Sequence, residues 1–161
     1  MALLFKENQR FTQWWIWLIL IVTACLTAYV FIQQLILDNP VGSKPLPDAW
    51  VIFFSFVYAF ILLFFWVLEL RTEIDKEEFR ARLFPFLQHK FFWDEIKSAE
   101  VIQYKFVGYG LRFSRNYGTV LNIKGNKGLA IELHNGAKFL IGTQDPDALK
   151  ALVDTKMKKT A

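Results

Sequence analysis

Two long uncharged runs near the N-terminus constrain what this chain can fold into more than any other feature of its sequence. The first run covers residues 11–37 and the second covers residues 49–68. As helices, at about 1.5 Å per residue, they would be roughly 40 Å and roughly 30 Å long, enough to cross a hydrocarbon layer of about 30 Å. No core helix of a soluble protein needs to be apolar on every face. The runs therefore predict a transmembrane hairpin, with residues 38–48 as the external loop.

The charged residues divide the chain at the end of the second run. Only three of the 19 lysines and arginines and three of the 15 acidic residues precede residue 69. Residues 69–161 are therefore predicted to form a soluble domain and residues 1–10 an N-terminal flank. The formal net charge of +4 is spread along this domain instead of forming a dense basic stripe. Such a field suits membrane lipid and predicts no nucleic-acid partner.

Basic residues at the ends of the two runs indicate which way the hairpin faces. Lys6 and Arg10 precede the first run, several basic residues follow the second, and the loop contains only Lys44. By the positive-inside rule both termini are predicted to be cytoplasmic, in a multi-pass protein of a cell membrane. Indole rings favour the headgroup level, so the tryptophans near the ends of the runs are predicted to be interface anchors. These are Trp14, Trp15, Trp17, Trp50 and Trp66.

The single cysteine, Cys25, lies inside the first run. One cysteine permits neither an intrachain disulfide nor a cysteine-based metal site. The run Val22-Thr23-Ala24-Cys25 is similar to a bacterial lipoprotein box, which leaves a processed lipoprotein as an alternative. Against it, the chain stays apolar beyond Cys25, where a lipoprotein usually turns polar, and the run exceeds a signal peptide's apolar core.

Short alternating segments follow the second run and predict about seven strands and a final helix. The firmest local prediction is a two-residue hairpin loop at Asn135-Gly136, since both residues tolerate positive φ between two apolar-rich segments. Asp145 is predicted to cap the closing helix, where Pro146 suits the first turn. Apolar residues at helical spacing give that helix one buried face. The segments predict a bent antiparallel sheet or barrel of about seven strands, with the helix at its end.

Three short motifs carry a resemblance to a known family. The segments Trp93–Ile96, Gly108–Arg112 and Ile141–Pro146 resemble those of bacterial pleckstrin-homology-like (PH-like) domains. The similarity covers roughly residues 68–157, and comparable small membrane proteins of the bacterial inner membrane carry two helices before such a domain. The resemblance implies an architecture, a strongly bent seven-stranded sheet capped by a C-terminal helix. It implies no reaction, because such folds have many roles.

The sequence offers no constellation typical of an enzyme. His89 and His134 are the only histidines, and neither has a cysteine or carboxylate at metal-ligand spacing. The adjacent Asp94 and Glu95 are predicted to support a corner of the chain. We therefore expect no catalytic residue, no metal and no cofactor, with an enzyme as a remote alternative.

Ligand binding is the remaining question for the soluble domain. Eukaryotic pleckstrin-homology domains hold inositol phosphates with basic residues in their first hairpin, but this chain has Asp75-Lys76-Glu77-Glu78 there. A different patch is the candidate for interaction, since arginines and tyrosines suit a phosphate or an acidic partner. It consists of Tyr109, Arg112, Arg115 and Tyr117.

The sequence thus predicts a non-enzymatic membrane protein that presents a PH-like domain at the cytoplasmic face. The expected partner is another protein or a second copy of the chain, bound through an exposed sheet edge. The alternative is a module that binds anionic lipid headgroups through Arg112 and Arg115. Solvated strand and loop positions are the simpler interpretation of these two arginines.

Overall fold

A computed structural model describes residues 3–105 and 108–160, apart from the side chains of Lys159 and Thr160. The chain divides into two compact units. One, the hairpin unit, is continuous and comprises Thr12–Val67. The other, the β unit, combines the residues up to Phe11 with those from Leu68 onward.

The hairpin unit contains the two long helices that the uncharged runs predict. Helix α1 spans Trp14–Phe31 and continues through a π-helical turn at Ile32–Ile36, while α2 spans Asp48–Val67. With 23 and 20 residues, both are long and apolar enough to cross a membrane. Most large apolar side chains of these two helices are exposed in the single chain. Helix α1 begins three residues later than predicted, because Phe11 is buried as part of the β unit.

Polar side chains join α1 to α2 at two levels. The Tyr58 hydroxyl donates to the backbone carbonyl of Leu20 at 2.7 Å and also hydrogen-bonds the Thr23 hydroxyl. Near the loop, the Gln34 amide donates to the Asp48 carboxylate at 2.7 Å. Gln34 is buried in this contact. Hydrogen bonds of this kind stabilise the packing of two helices whose other side chains are mostly apolar.

In the β unit, the described residues form nine strands in two sheets and a C-terminal helix. The four-stranded sheet has the order β1-β2-β3-β4, and the five-stranded sheet has the order β5-β8-β9-β7-β6. A short 3-10 turn at Trp93–Glu95 links β4 to β5, at the corner that the sequence predicts. The elements are β1 Phe5–Arg10, β2 Glu69–Ile74, β3 Glu78–Phe84, β4 Leu87–Phe92, β5 Ile96–Gln103, β6 Gly110–Ser114, β7 Gly118–Asn122, β8 Lys127–Leu133, β9 Lys138–Gly142 and α3 Pro146–Thr160.

Strand β1 is the main departure from the sequence prediction, which has only a flank at residues 1–10. It pairs antiparallel with β2, from Arg10 opposite Glu69 to Phe5 opposite Ile74. Its inward side chains also reach the other sheet, because the Gln9 amide donates to the carbonyl of Gly142 at 2.7 Å. The segment before the first helix is therefore an integral part of the β unit.

The arrangement of the strands also differs from a single bent sheet or barrel of about seven strands. Most pairs are antiparallel, but β7 and β9 run parallel, so the second sheet is mixed. The strands within residues 3–105 and 108–160 form two separate open sheets and no closed barrel. The added strand is β1, which pairs only with a strand that follows both long helices.

The hairpin predicted at Asn135-Gly136 and the predicted cap of the closing helix are present, but the loop has three residues instead of the predicted two. The Asn135-Gly136 hairpin forms, with Gly136 at φ +82° and its N–H donating to the Leu133 carbonyl at 2.9 Å. Only the glycine has a positive φ, as in a three-residue loop in which a type I turn precedes a left-handed residue. At α3, the N–H of Ala148 donates to the Asp145 carboxylate at 3.2 Å, which is a helix N-cap.

Aromatic side chains fill the space between the two sheets. Phe79 of β3 and Phe91 of β4 are almost fully buried, and their ring centroids lie 5.7 Å apart. Phe91 in turn meets Phe139 of β9 edge to face, at 4.8 Å between centroids. His89 also lies against Phe139, at 5.0 Å. This imidazole is therefore part of the packing between the sheets.

A buried carboxylate closes the β2–β3 turn. Asp75 accepts hydrogen bonds from the backbone N–H groups of Glu77 and Glu78 at 2.9 and 2.8 Å, and from the Arg80 guanidinium at 3.2 Å. The bonds from Glu78 and Glu77 lower the pKa of Asp75 below its ordinary value, with Arg80 adding to the effect and burial opposing it. Asp75 is one of the acidic residues that argue against an inositol-phosphate site, and it thus stabilises this turn.

Replacing Asp75 by asparagine is expected to cost about 1–3 kcal/mol of unfolding free energy at neutral pH, since charge-assisted bonds are lost. A carboxyl with a lowered folded pKa adds stability above its unfolded pKa of about 3.9, and loses it as the pH falls through the folded value. We therefore expect Asp75→Asn to be less sensitive to acid than the parent chain. Glu77→Gln, at an exposed position of the same turn, is the control.

Urea unfolding of the detergent-solubilised chain between about pH 6 and pH 3 measures this difference. Some acid sensitivity will remain in Asp75→Asn, because the pKa values of Glu69 and Glu132 are also lowered. Equal acid sensitivity in Asp75→Asn and the parent would contradict the role assigned to the Asp75 carboxylate.

Candidate functional site

The four residues of the predicted patch all lie on or next to the β6–β7 hairpin. Tyr109 immediately precedes β6, Arg112 lies within it, and Arg115 and Tyr117 belong to the turn that follows. The Arg112 guanidinium donates to the backbone carbonyl of Tyr109 at 3.2 Å. The structure therefore brings Arg112 and Tyr109 together, while Arg115 is exposed at the far end of the hairpin.

Both tyrosines of the patch pack against other aromatic rings and are also partly exposed. The ring of Tyr109 meets Phe11 edge to face at 6.1 Å, and Tyr117 lies 6.3 Å from Tyr104. Tyr104 is buried, and burial, together with the charge of Tyr109, raises its pKa to about 12. Its hydroxyl is consequently protonated throughout the physiological range. The patch offers two exposed arginines on a base of packed aromatic rings.

Strand β6 is an outermost strand, which sequence reasoning did not show. It pairs with β7 on one side and with none of the described strands on the other. Phe113 of this strand is 82% exposed, more than any other large apolar residue in the described chain. Leu111 and Phe113 share one face of the strand, and Arg112 lies on the opposite face. The alternation is visible in the sequence, but the edge position depends on the parallel β7–β9 pairing.

A second surface covers the outward side of the four-stranded sheet. Alternate residues of each strand face outward, and the register aligns them in rows across the sheet. One row joins Arg10, Glu69 and Phe84, and the next joins Arg71 to Arg82. The basic members of these rows, here called the basic face, are Lys6, Arg10, Arg71, Arg80, Arg82 and Lys90. The acidic members are Glu69, Glu73 and Glu78.

Glu69 is the buried centre of charge on this surface. It is 3% exposed and binds Arg71 at 2.8 Å and Arg10 at 2.9 Å. Burial alone would raise the pKa of Glu69, but the hydrogen bonds from Arg71 and Arg10 outweigh it and hold the pKa below its ordinary value. The side chains of Arg10 and Arg71 remain 59% and 46% exposed, so the pair of arginines still presents positive charge to the outside.

Exposed aromatic rings lie at the same end of this sheet. Phe84 ends β3 and Phe86 lies in the β3–β4 turn, and they are 37% and 56% exposed. The guanidinium of Arg82 lies over the ring of Phe84, 5.2 Å from its centroid. Within residues 3–105 and 108–160, neither Arg82 nor Lys90 has a carboxylate within 4.0 Å. Their charges are therefore not neutralised locally.

The remaining titratable groups give no arrangement typical of a metal centre. The described residues contain no group of three or more metal-ligating side chains. His134, in the β8–β9 turn, lines a shallow cavity of about 350 Å³ with Asp94 and Glu95. The Glu95 carboxylate accepts from the backbone N–H of Phe92 at 3.3 Å, which is the corner bond that the sequence predicts.

In the hairpin unit, the predicted anchors lie at the helix ends. Trp14 is the first residue of α1 and Trp66 the last but one of α2, and both are largely exposed. Trp15 and Trp50 are also exposed, whereas Trp17 is half-buried. The helices also line an apolar groove of about 1000 Å³, with small residues on its walls. Cys25 is a free, exposed thiol within α1, and the helix continues past it.

Comparison of the chain with protein-family models, with curated proteins and with solved structures gave no match. The resemblance to PH-like domains therefore stays a prediction. Any function assigned to the chain rests on the geometry of the β6 edge, the basic face and the hairpin.

Proposed function

We propose that α1 and α2 form a hairpin in the inner membrane of a bacterium and hold the β unit at its cytoplasmic surface. The length of the helices and their exposed apolar side chains support this. Strand β1 precedes the hairpin and β2 follows it, and the two strands pair. Two paired strands lie on one side of a membrane, so both ends of the hairpin lie there too. The many basic residues of the β unit, against Lys44 alone in the loop, favour the cytoplasm for that side.

Cysteine labelling in intact cells tests the topology. A chain with Cys25→Ser has no cysteine, and new ones replace Ser43 in the loop or Ser98 in β5. Both positions are exposed. A membrane-impermeant maleimide should label the Ser43→Cys chain and spare the Ser98→Cys chain until the membrane is opened. Labelling of Ser98→Cys in intact cells would overturn the proposed orientation.

We infer further that the β unit is a variant of the PH-like fold. Two sheets of mostly antiparallel strands, followed by an amphipathic helix, support this assignment. The chain departs from a seven-stranded PH-like domain in strand number and in the position of β1 before the hairpin. The fold carries no reaction with it.

The function that the geometry supports best is capture of an extended segment of another protein at the edge of β6. One observation carries this proposal: β6 is an outermost strand with an 82% exposed phenylalanine in it. Native proteins usually protect such edges, because the unpaired backbone groups bind further strands. In strand addition these groups supply affinity, and pockets for alternate side chains supply specificity.

The side chains of β6 define the chemistry of the segment. One face of an added strand would meet Leu111 and Phe113, and the other would meet Arg112. Arg115 adds a second exposed cation at the turn. The edge therefore suits an extended segment that alternates apolar and acidic residues, from a different protein or from a second copy of this chain.

Photo-crosslinking in cells tests the edge. A photoreactive phenylalanine analogue at Phe113 should give a discrete protein adduct, whereas the same analogue at exposed Lys150 of α3 should not. Arg112→Glu combined with Arg115→Glu should reduce the adduct about tenfold, as expected for two lost charge-assisted contacts. An adduct of twice the chain mass identifies a second copy as the partner. Equal adducts at both positions, or none at Phe113, would overturn strand capture.

A further inference from the structure

We propose that the basic face and the β3–β4 turn dock on the anionic surface of the membrane that holds the hairpin. Within this surface, Arg82 and Lys90 of the basic face and the exposed rings of Phe84 and Phe86 are the groups that we expect to contact lipid. The inference rests on the proposed membrane hairpin and is separate from strand capture at β6. Its occupant is a lipid headgroup layer with anionic lipids.

Chain geometry supports the position of this turn. Two peptide links join Val67, the last residue of α2, to Glu69, and two links span at most about 7 Å. Phe84 is the cross-strand partner of Glu69, which adds about 5 Å between Cα atoms. Two peptide links and one cross-strand pair thus connect Phe84 to α2. A hairpin that lies in the membrane therefore limits how far the turn can move from the headgroup layer.

The composition of the turn suits that layer. Exposed phenylalanine side chains beside basic residues insert at the boundary between headgroups and acyl chains, as they do in amphipathic helices that bind membranes. Phe84, at the end of β3, and Phe86, in the turn that follows, leave large apolar surfaces exposed. An exposed apolar surface of this kind in water would be a liability. Against lipid it adds binding free energy.

Charge supports the same docking surface independently. The outward side of the sheet carries six basic side chains against three acidic ones. Arg82 and Lys90 have no acidic partner among the described residues. Juxtamembrane basic residues bind anionic leaflets, and each is worth about 1 kcal/mol, or about fivefold in the docked population. The excess of charge lies on the same side of the sheet as Phe84.

Bromolipid quenching of a single fluorophore tests the proposal on the full chain. In the Cys25→Ser chain, a bimane label is placed by cysteine substitution at Phe86, at Phe113 or at Phe60. Phe60 lies on α2 and is 67% exposed, so it reports whether the hairpin is in lipid. Each chain is reconstituted in vesicles of phosphatidylcholine with or without phosphatidylglycerol, and part of the phosphatidylcholine carries bromine on its acyl chain.

The expected result is quenching at positions 60 and 86 and none at 113, with quenching at 86 reduced when phosphatidylglycerol is omitted. Arg82→Glu combined with Lys90→Glu should lower the docked fraction at position 86 by about fivefold or more for each charge removed. Lys150→Glu combined with Lys158→Glu makes the same charge change on α3 and should leave quenching at 86 unchanged.

Two results would overturn the inference, and they are distinguishable. Quenching at 60 with position 86 as unquenched as 113 leaves the hairpin in the membrane and rejects docking of the β unit. Absence of quenching at 60 rejects the membrane hairpin itself, and docking with it. Quenching at 86 that is equal with and without phosphatidylglycerol would reject the anionic surface as the occupant.

Discussion

Gly118→Ala is expected to destabilise the β unit by about 3 kcal/mol or more and to separate β7 from β9. Gly118 begins β7 at φ +65°, a conformation that costs a residue with a Cβ about 1–2 kcal/mol. A Cβ at this position would also lie 2.0 Å from the backbone carbonyl oxygen of Lys138, the first residue of β9. Backbone atoms of a paired strand cannot move aside alone, so the clash is relieved only by opening the parallel pair.

Gly110→Ala is the matched control, because it carries the cost of a positive φ without the clash with a neighbouring strand. Gly110 has φ +80°, and a Cβ there would meet no atom within 4 Å. We expect it to cost only about 1–2 kcal/mol. Hydrogen exchange of the detergent-solubilised chain measures the loss of stability in the two variants. Peptides from β7 and β9 should lose protection only in Gly118→Ala. Equal losses in the two variants would show that the contact with Lys138 is not what excludes a side chain.

Phe79→Ala is expected to cost about 3–5 kcal/mol of unfolding free energy, which is the range for deleting a buried phenyl group. Phe79 is fully buried and lies against Phe91, the ring that also meets the second sheet. The cavity would thus open where the two sheets join. Because small domains have total stabilities of only about 5–15 kcal/mol, the β unit should become partly unfolded at 37 °C.

Phe84→Ala is the control for this substitution within the same strand. Phe84 faces the opposite side of β3 and is 37% exposed, so its removal should cost less than about 1 kcal/mol. Urea unfolding of both variants in detergent, followed by hydrogen exchange in β3 and β4, provides the comparison. A Phe84→Ala chain as unstable as Phe79→Ala would mean that the sheet buries the opposite face.

Some elements of the β unit were predictable from the sequence because the alternation, turn and cap patterns involve residues that are close together in the chain. Short alternating segments after the second run predicted that strands follow the helices, and the position of the Asn135-Gly136 turn and the cap at Asp145 were also found. Strand β1 was missed since its partner is 59 positions away and its six residues alternate only weakly. The parallel pairing of β7 with β9 was missed for a similar reason, because short-range periodicity carries no strand order.

The candidate surfaces show the same limit. The sequence placed Tyr109 and Arg112 near each other because they are neighbours in the chain. The basic face was not predicted, although Arg71, Arg80 and Arg82 alternate visibly with apolar residues. Its extent depends on cross-strand register and on β1, which brings Lys6 and Arg10 to the same side. Phe113 became significant only when the strand order placed it on an outer edge.

The pairing of β1 with β2 has a consequence for biosynthesis. A ribosome delivers β1 first, but its partner β2 begins only 59 positions later at Glu69, about 3–12 s later at usual elongation rates. During that interval β1 has no strand to pair with, so the four-stranded sheet cannot be completed. Assembly of the four-stranded sheet thus waits until both helices have been made. In the proposed topology, a chain whose second helix failed to insert would hold β1 and β2 on opposite sides of the membrane, and this sheet could not form.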